Sequence, residues 1–159
     1  MTTDPISGDC QCGAVRFRIG TLGELSICHC RMCQKAIGSF DAPLVTAPEL
    51  TWTRGASKLF QSSNKVKRGF CAECGTPLTY DYSSDPEIAI GALDHPELST
   101  PIVQVCVADK LPFVDGLADL PAHANGVDSD EVRFMATIKT YQHPDTDTDV
   151  WPPANAQTD

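Results

Sequence analysis

The chain has 159 residues, 42% of them hydrophobic and 21% charged, with a formal net charge of −9. That is enough chain for one globular domain with a core of its own. The acidic excess disfavours nucleic acid or an anionic membrane surface as the main partner, since both need a basic face. No apolar run approaches the ~18 residues of a membrane helix. Met1-Thr2-Thr3-Asp4-Pro5 has neither a basic n-region nor an apolar h-region, so no export signal is expected and the setting is read as cytoplasmic. In a reducing compartment, clustered cysteines serve as ligands or catalysts more often than as disulfides.

The first motif is Cys10-Gln11-Cys12-Gly13, two thiols one residue apart beside a glycine that permits a sharp turn. The alternation from Ala14 to Gly20 predicts a half-buried strand, with Val15, Phe17 and Ile19 inward and Arg16 and Arg18 toward water. Glu24 to Ile27 predicts a strand that delivers Cys28-His29-Cys30-Arg31-Met32-Cys33. Residues 31–37 fit a short helix stopped by Gly38. Short strands follow over 42–46, 50–53 and 58–61, separated by Pro48 and Gly55. Lys65 to Phe70 leads into Cys71-Ala72-Glu73-Cys74-Gly75, a C-x-x-C-G knuckle.

Thr76 to Tyr82 and Glu87 to Leu93 read as further strands, and Ile102 to Val107 as a buried one rich in β-branched residues. Residues 109–130 look like loop with one turn of helix. Arg133 to Tyr141 fits strand and helix equally. Many short strands punctuated by turns predict a mainly β domain over 1–141 with one or two short helices. The Pro, Thr and Asp content from Gln142 onward predicts a loosely ordered tail over 142–159.

Seven of the eight cysteines fall in three groups: Cys10 and Cys12; Cys28, Cys30 and Cys33; Cys71 and Cys74. The simplest partition is a four-thiolate structural site from the first and third groups and a second site from the middle group. Zinc favours such ligands, with Zn–S near ~2.3 Å, and three protein ligands leave a fourth position for an outside molecule. Cys106 introduces an alternative, because an eighth thiolate would close the second site. Its β-branched neighbours favour a buried core thiol instead. His29 alternates with Cys28 and Cys30 along the chain, so it is read as a wall or supporting residue rather than a ligand. His95, His123 and His143 are isolated and receive no role.

Taken together, these motifs resemble the glutathione-dependent formaldehyde-activating enzyme family, which includes centromere-protein-V-like proteins. The matching stretches are Cys10 to Val15, Cys28 to Lys35 and Arg68 to Leu78, with weaker matches at Gly91-Ala92-Leu93-Asp94 and Gln142-His143-Pro144-Asp145. The resemblance implies a zinc-stapled β-tent fold of several short antiparallel sheets and two zinc ions per chain. Cys10, Cys12, Cys71 and Cys74 would hold a structural zinc, and Cys28, Cys30 and Cys33 an active-site zinc. The aromatic residue usual in the late β-run is replaced here by Cys106.

The activity implied is that of a carbon–sulfur lyase: a glutathione-like thiol added to a small aldehyde, formaldehyde for the family's name, or the reverse. Arg31 and Arg68 are candidate partners for substrate carboxylates. The alternative is a non-catalytic module in which both zincs are structural. A redox enzyme using Cys106 is a weaker reading, because an apolar setting would raise that thiol's pKa.

Overall fold

The computed structural model describes residues 6–122 and 129–152. His123 therefore lies outside the described residues. The domain is mainly β, with ten strands in two sheets among the described residues. The smaller sheet has the order β1-β2-β5, from Ile6–Asp9, Arg16–Ile19 and Thr51–Arg54. The larger has the order β10-β3-β4-β9-β8-β7-β6. Its strands are Val103–Val105, Leu25–Cys28, Ala42–Thr46, Glu87–Ala89, Pro77–Asp81, Lys67–Phe70 and Lys58–Gln61, in that order. All pairings are antiparallel except β10 on β3.

The predicted helix is present as α1, Arg31–Ile37. Cys30 caps its N-terminus by accepting from the Cys33 amide, and Gly38 ends it at φ 75°. A second helix, α2, spans Asp130–Thr137 and settles the ambiguity of that stretch. It opens on Ser129, whose side chain accepts from the Val132 amide, with Asp130 and Glu131 in the first turn, where acidic groups suit the helix dipole.

Apolar residues of both sheets form one core: Phe17 and Ile19 from β2, Val45 from β4, Leu78 from β8 and Ile88 from β9. The alternation of β2 sets this face, and Arg18 is exposed as expected. Arg16 departs from the pattern. Its side chain is buried because β1, which the polar sequence Ile6-Ser7-Gly8-Asp9 conceals, places Asp9 directly opposite. Arg16 Nη1 donates to Asp9 at 2.8 Å and Nη2 to Asp94 at 2.7 Å.

Two further expectations are corrected. Strand β10 is exposed rather than buried, because it is the outer strand of the larger sheet. A β-branched run favours a strand but does not say whether the strand is covered. Residues 142–152 pack on the smaller sheet rather than trailing from it. His143 is 1% exposed, its Nδ1 2.6 Å from Asp9 Oδ2. Arg54 donates to the Thr148 carbonyl, and the Trp151 indole donates to the Cys12 carbonyl at 2.8 Å. Polar composition predicts disorder only when no buried partner awaits the polar groups, and here several do.

Candidate metal centres

The first and third cysteine groups meet at the junction of the two sheets. Cys10 and Cys12 lie in the β1–β2 connection, Cys71 and Cys74 in the β7–β8 connection. All four sulfurs lie within 4.8 Å of one another. Cys10 Sγ is 3.6 Å from Cys12 Sγ, and Cys12 Sγ is 3.9 Å from Cys71 Sγ. A tetrahedral zinc with ~2.3 Å bonds separates its sulfurs by roughly 3.8 Å, so these spacings fit.

Both knuckles turn through glycines in the left-handed region, Gly13 at φ 76° and Gly75 at φ 80°. The Val15 amide donates to Cys10 Sγ at 3.3 Å. Burial pushes Cys10 well up and Cys12 up to about 11. Burial also acts on Cys74, but Thr76 and the Cys12 amide outweigh it and hold that thiol down to about 6. Buried thiols that resist ionisation on their own suit a cation that takes the place of their protons.

The middle group forms where β3 runs into α1. Cys28 ends the strand, Cys30 caps the helix and Cys33 sits in its first turn. Cys28 and Cys33 are buried. The described sulfurs that lie within 4.8 Å of one another here are those of Cys28, Cys30 and Cys106, without Cys33. The Cys33 amide donates to Cys30 Sγ at 3.3 Å, and Arg68 Nη2 donates to Cys33 Sγ at 3.3 Å. Burial raises Cys28 and Cys33, with Arg68 opposing the rise at Cys33. Cys30 is also desolvated, yet the amides of Cys33 and Met32 and the neighbouring thiols bring it below the ordinary thiol value.

Cys106 is not a core thiol. It is exposed, and its Sγ lies within 4.8 Å of those of Cys28 and Cys30. The parallel register that sets Val105 beside Cys28 carries it there. Sequence reasoning weighed this arrangement and preferred burial, because no local pattern reveals that residues 103–105 pair with 26–28.

Arg68 is 8% exposed, with Nε donating to Ser62 and its guanidinium carbon 4.8 Å from the Tyr80 ring centroid. It also lines a cleft of about 410 Å³, together with Met32, Lys35, Leu44, Phe60 and Tyr80. Arg31 is exposed and donates to Gln34 at 3.3 Å. His29 is buried, with Nε2 2.9 Å from Gln104 Oε1.

A third cluster escaped the sequence reading: Asp9, Arg16, Asp94 and His143, all buried. The stretches around Asp94 and His143 were among the weaker matches to the family, which was the available signal. Arg16 already occupies the space between the two carboxylates, so the cluster reads as a closed ion network.

A crystal structure of a Rhodobacter sphaeroides protein superposes with a TM-score of 0.50 at 23% identity, covering 62% of this chain and 99% of that one, which shows a shared fold. None of the described helices is long and apolar enough to cross a membrane. The family model for glutathione-dependent formaldehyde-activating enzymes matches residues 5–109, a span holding all eight cysteines, and the chain belongs to that family.

Proposed function

We propose that the protein is a zinc-dependent carbon–sulfur lyase-type enzyme, joining a glutathione-like thiol to a small aldehyde or reversing that addition. Cys10, Cys12, Cys71 and Cys74 hold a structural zinc, and Cys28, Cys30 and Cys33 the second, reactive one. A zinc ion in the second group supplies positive charge that favours a substrate thiolate and can polarise an aldehyde oxygen. Net addition forms one S–C bond, and the thiol proton ends on the former carbonyl oxygen.

The observation that carries this reading is the position of Arg68, which reaches from Cys33 Sγ to the wall of the 410 Å³ cleft. Three thiolates around a divalent ion leave a net charge of about −1. Arg68, buried against Cys33, offsets that charge and also lines the cleft in which a ligand would sit. Arg31 and Lys35, exposed on α1, are further cations for the carboxylates of a glutathione-like substrate.

One observation favours the non-catalytic alternative: Cys106 stands close enough to Cys28 and Cys30 to close the second site. Exchange NMR with ¹³C-formaldehyde and glutathione separates the readings. The zinc-loaded chain is expected to speed hemithioacetal exchange by at least about tenfold, and Cys30→Ser to abolish the gain. A chain carrying both zincs with no effect on exchange across a panel of thiols and aldehydes supports the scaffold.

A further inference from the structure

Three contacts hold Cys106 in place, two before it in the chain and one beyond it. His29 Nε2 meets Gln104 Oε1 at 2.9 Å, and the His29 amide donates to the Val105 carbonyl at 3.1 Å. Beyond it, Gln34 Nε2 donates to the Asp109 carbonyl at 3.3 Å while also donating to the His29 carbonyl at 2.7 Å. Gln34 and His29 are 2% and 1% exposed, so buried polar groups fasten the 104–109 segment to the turn that carries Cys28, Cys30 and Cys33. Cys106 itself takes the left-handed conformation, φ 54°, which is unfavourable for a side chain larger than glycine. In that conformation its sulfur comes within 4.8 Å of two of the three thiols.

The same thiol differs from Cys28 and Cys33 in access. Cys28 and Cys33 are buried, whereas Cys106 is exposed and follows a strand of three residues at the sheet edge. A ligand at such a place can leave without opening the core.

We infer that Cys106 is a displaceable fourth thiolate for the metal at Cys28, Cys30 and Cys33, and that it keeps the position which a substrate thiol takes over. This rests on the proposed function. In the exchange, the metal–sulfur bond to Cys106 breaks and one to the incoming sulfur forms. The proton of the incoming thiol ends on the Cys106 thiolate, so charge and oxidation state are unchanged. The chain's own thiol thereby sets the selectivity: the substrate must bring a sulfur at least as good a ligand as cysteine, and oxygen nucleophiles are refused.

The test follows iodoacetamide labelling of Cys106 by peptide mapping, with zinc counted by native mass spectrometry. The zinc-loaded wild type is compared with Cys30→Ser, which keeps the structural zinc. Two zincs and one zinc are expected, respectively, with Cys106 labelled about tenfold more slowly in the wild type, since a metal-bound thiolate is a poor nucleophile. Millimolar glutathione is expected to raise labelling in the wild type to that of the variant while both zincs stay bound.

Equal labelling in the two proteins, with zinc counts of two and one, overturns this inference and leaves the proposed function standing. A wild-type count of one overturns both. Protection that glutathione cannot relieve overturns displacement and makes the thiol a permanent cap. Cys106→Ser, at an exposed position, adds a second readout: the average number of sulfurs per zinc in X-ray absorption is expected to fall from four to about 3.5. An unchanged average overturns the inference.

Discussion

Removing the Arg16 guanidinium leaves the Asp9 and Asp94 carboxylates in a dry site without the cation that pairs them. Breaking a buried pair from one side costs about 3–5 kcal/mol, more than the pair itself contributes, because the stranded charges keep their desolvation penalty. Arg16→Met is therefore expected to lose about that much in urea unfolding. The loss should depend on pH. Burial already holds the Asp9 carboxyl above its ordinary 3.8. A raised carboxyl favours folding below its unfolded value, and that advantage is lost as pH rises through the folded one. Removing Arg16 raises it further, so the gap between variant and wild type should narrow as pH falls from neutral toward the carboxylate range. A gap constant with pH would mean that the carboxylates are not stranded.

Short elements here are fixed by what lies beside them more than by their own propensity. The Cys10–Gly13 turn is an example. Gly13 takes φ 76°, and a Cβ there would lie 2.3 Å from His143 Cδ2. Gly38, at the end of α1, takes φ 75° with nothing within 4 Å of such an atom. Both substitutions to alanine incur the left-handed strain of about 1–2 kcal/mol. Only Gly13→Ala must also push away the buried imidazole and, with it, the 142–152 segment. Chemical denaturation is expected to show the larger loss for Gly13→Ala, and limited proteolysis to show that segment released. Equal losses would mean that the segment does not depend on the turn.

Across the whole molecule, the two candidate metal sites have different mechanical positions. The first joins a hairpin connection of the smaller sheet to one of the larger, roughly sixty residues away in sequence, so the binding energy of a metal held there would become folding energy. The second lies within the larger sheet, where β3, α1 and β10 are already held by backbone hydrogen bonds. Cys71→Ser is expected to aggregate or to melt lower by on the order of 10 °C or more, at about 2–4 °C per kcal/mol for a chain of this size. Cys30→Ser is expected to melt within a few degrees of wild type and to lose one zinc. Similar melting for both would refute this division of labour.

The sequence by itself determined the mainly β class, the helix over 31–37 and the division of seven cysteines into three short motifs. Those features are local: turn glycines, period-two alternation and ligand spacing act over a few residues, and the family resemblance rests on the same motifs. It did not determine the surroundings of Cys106, Arg16 or His143. Cys106 depends on a parallel pairing between strands some seventy-five residues apart, Arg16 on an opposing aspartate in a strand with no apolar signature, and His143 on the space that the missing side chain of Gly13 leaves beside its ring. Long-range pairing and the burial of charge are settled by the folded whole, because the free energy of a buried polar group depends on partners that no local window contains.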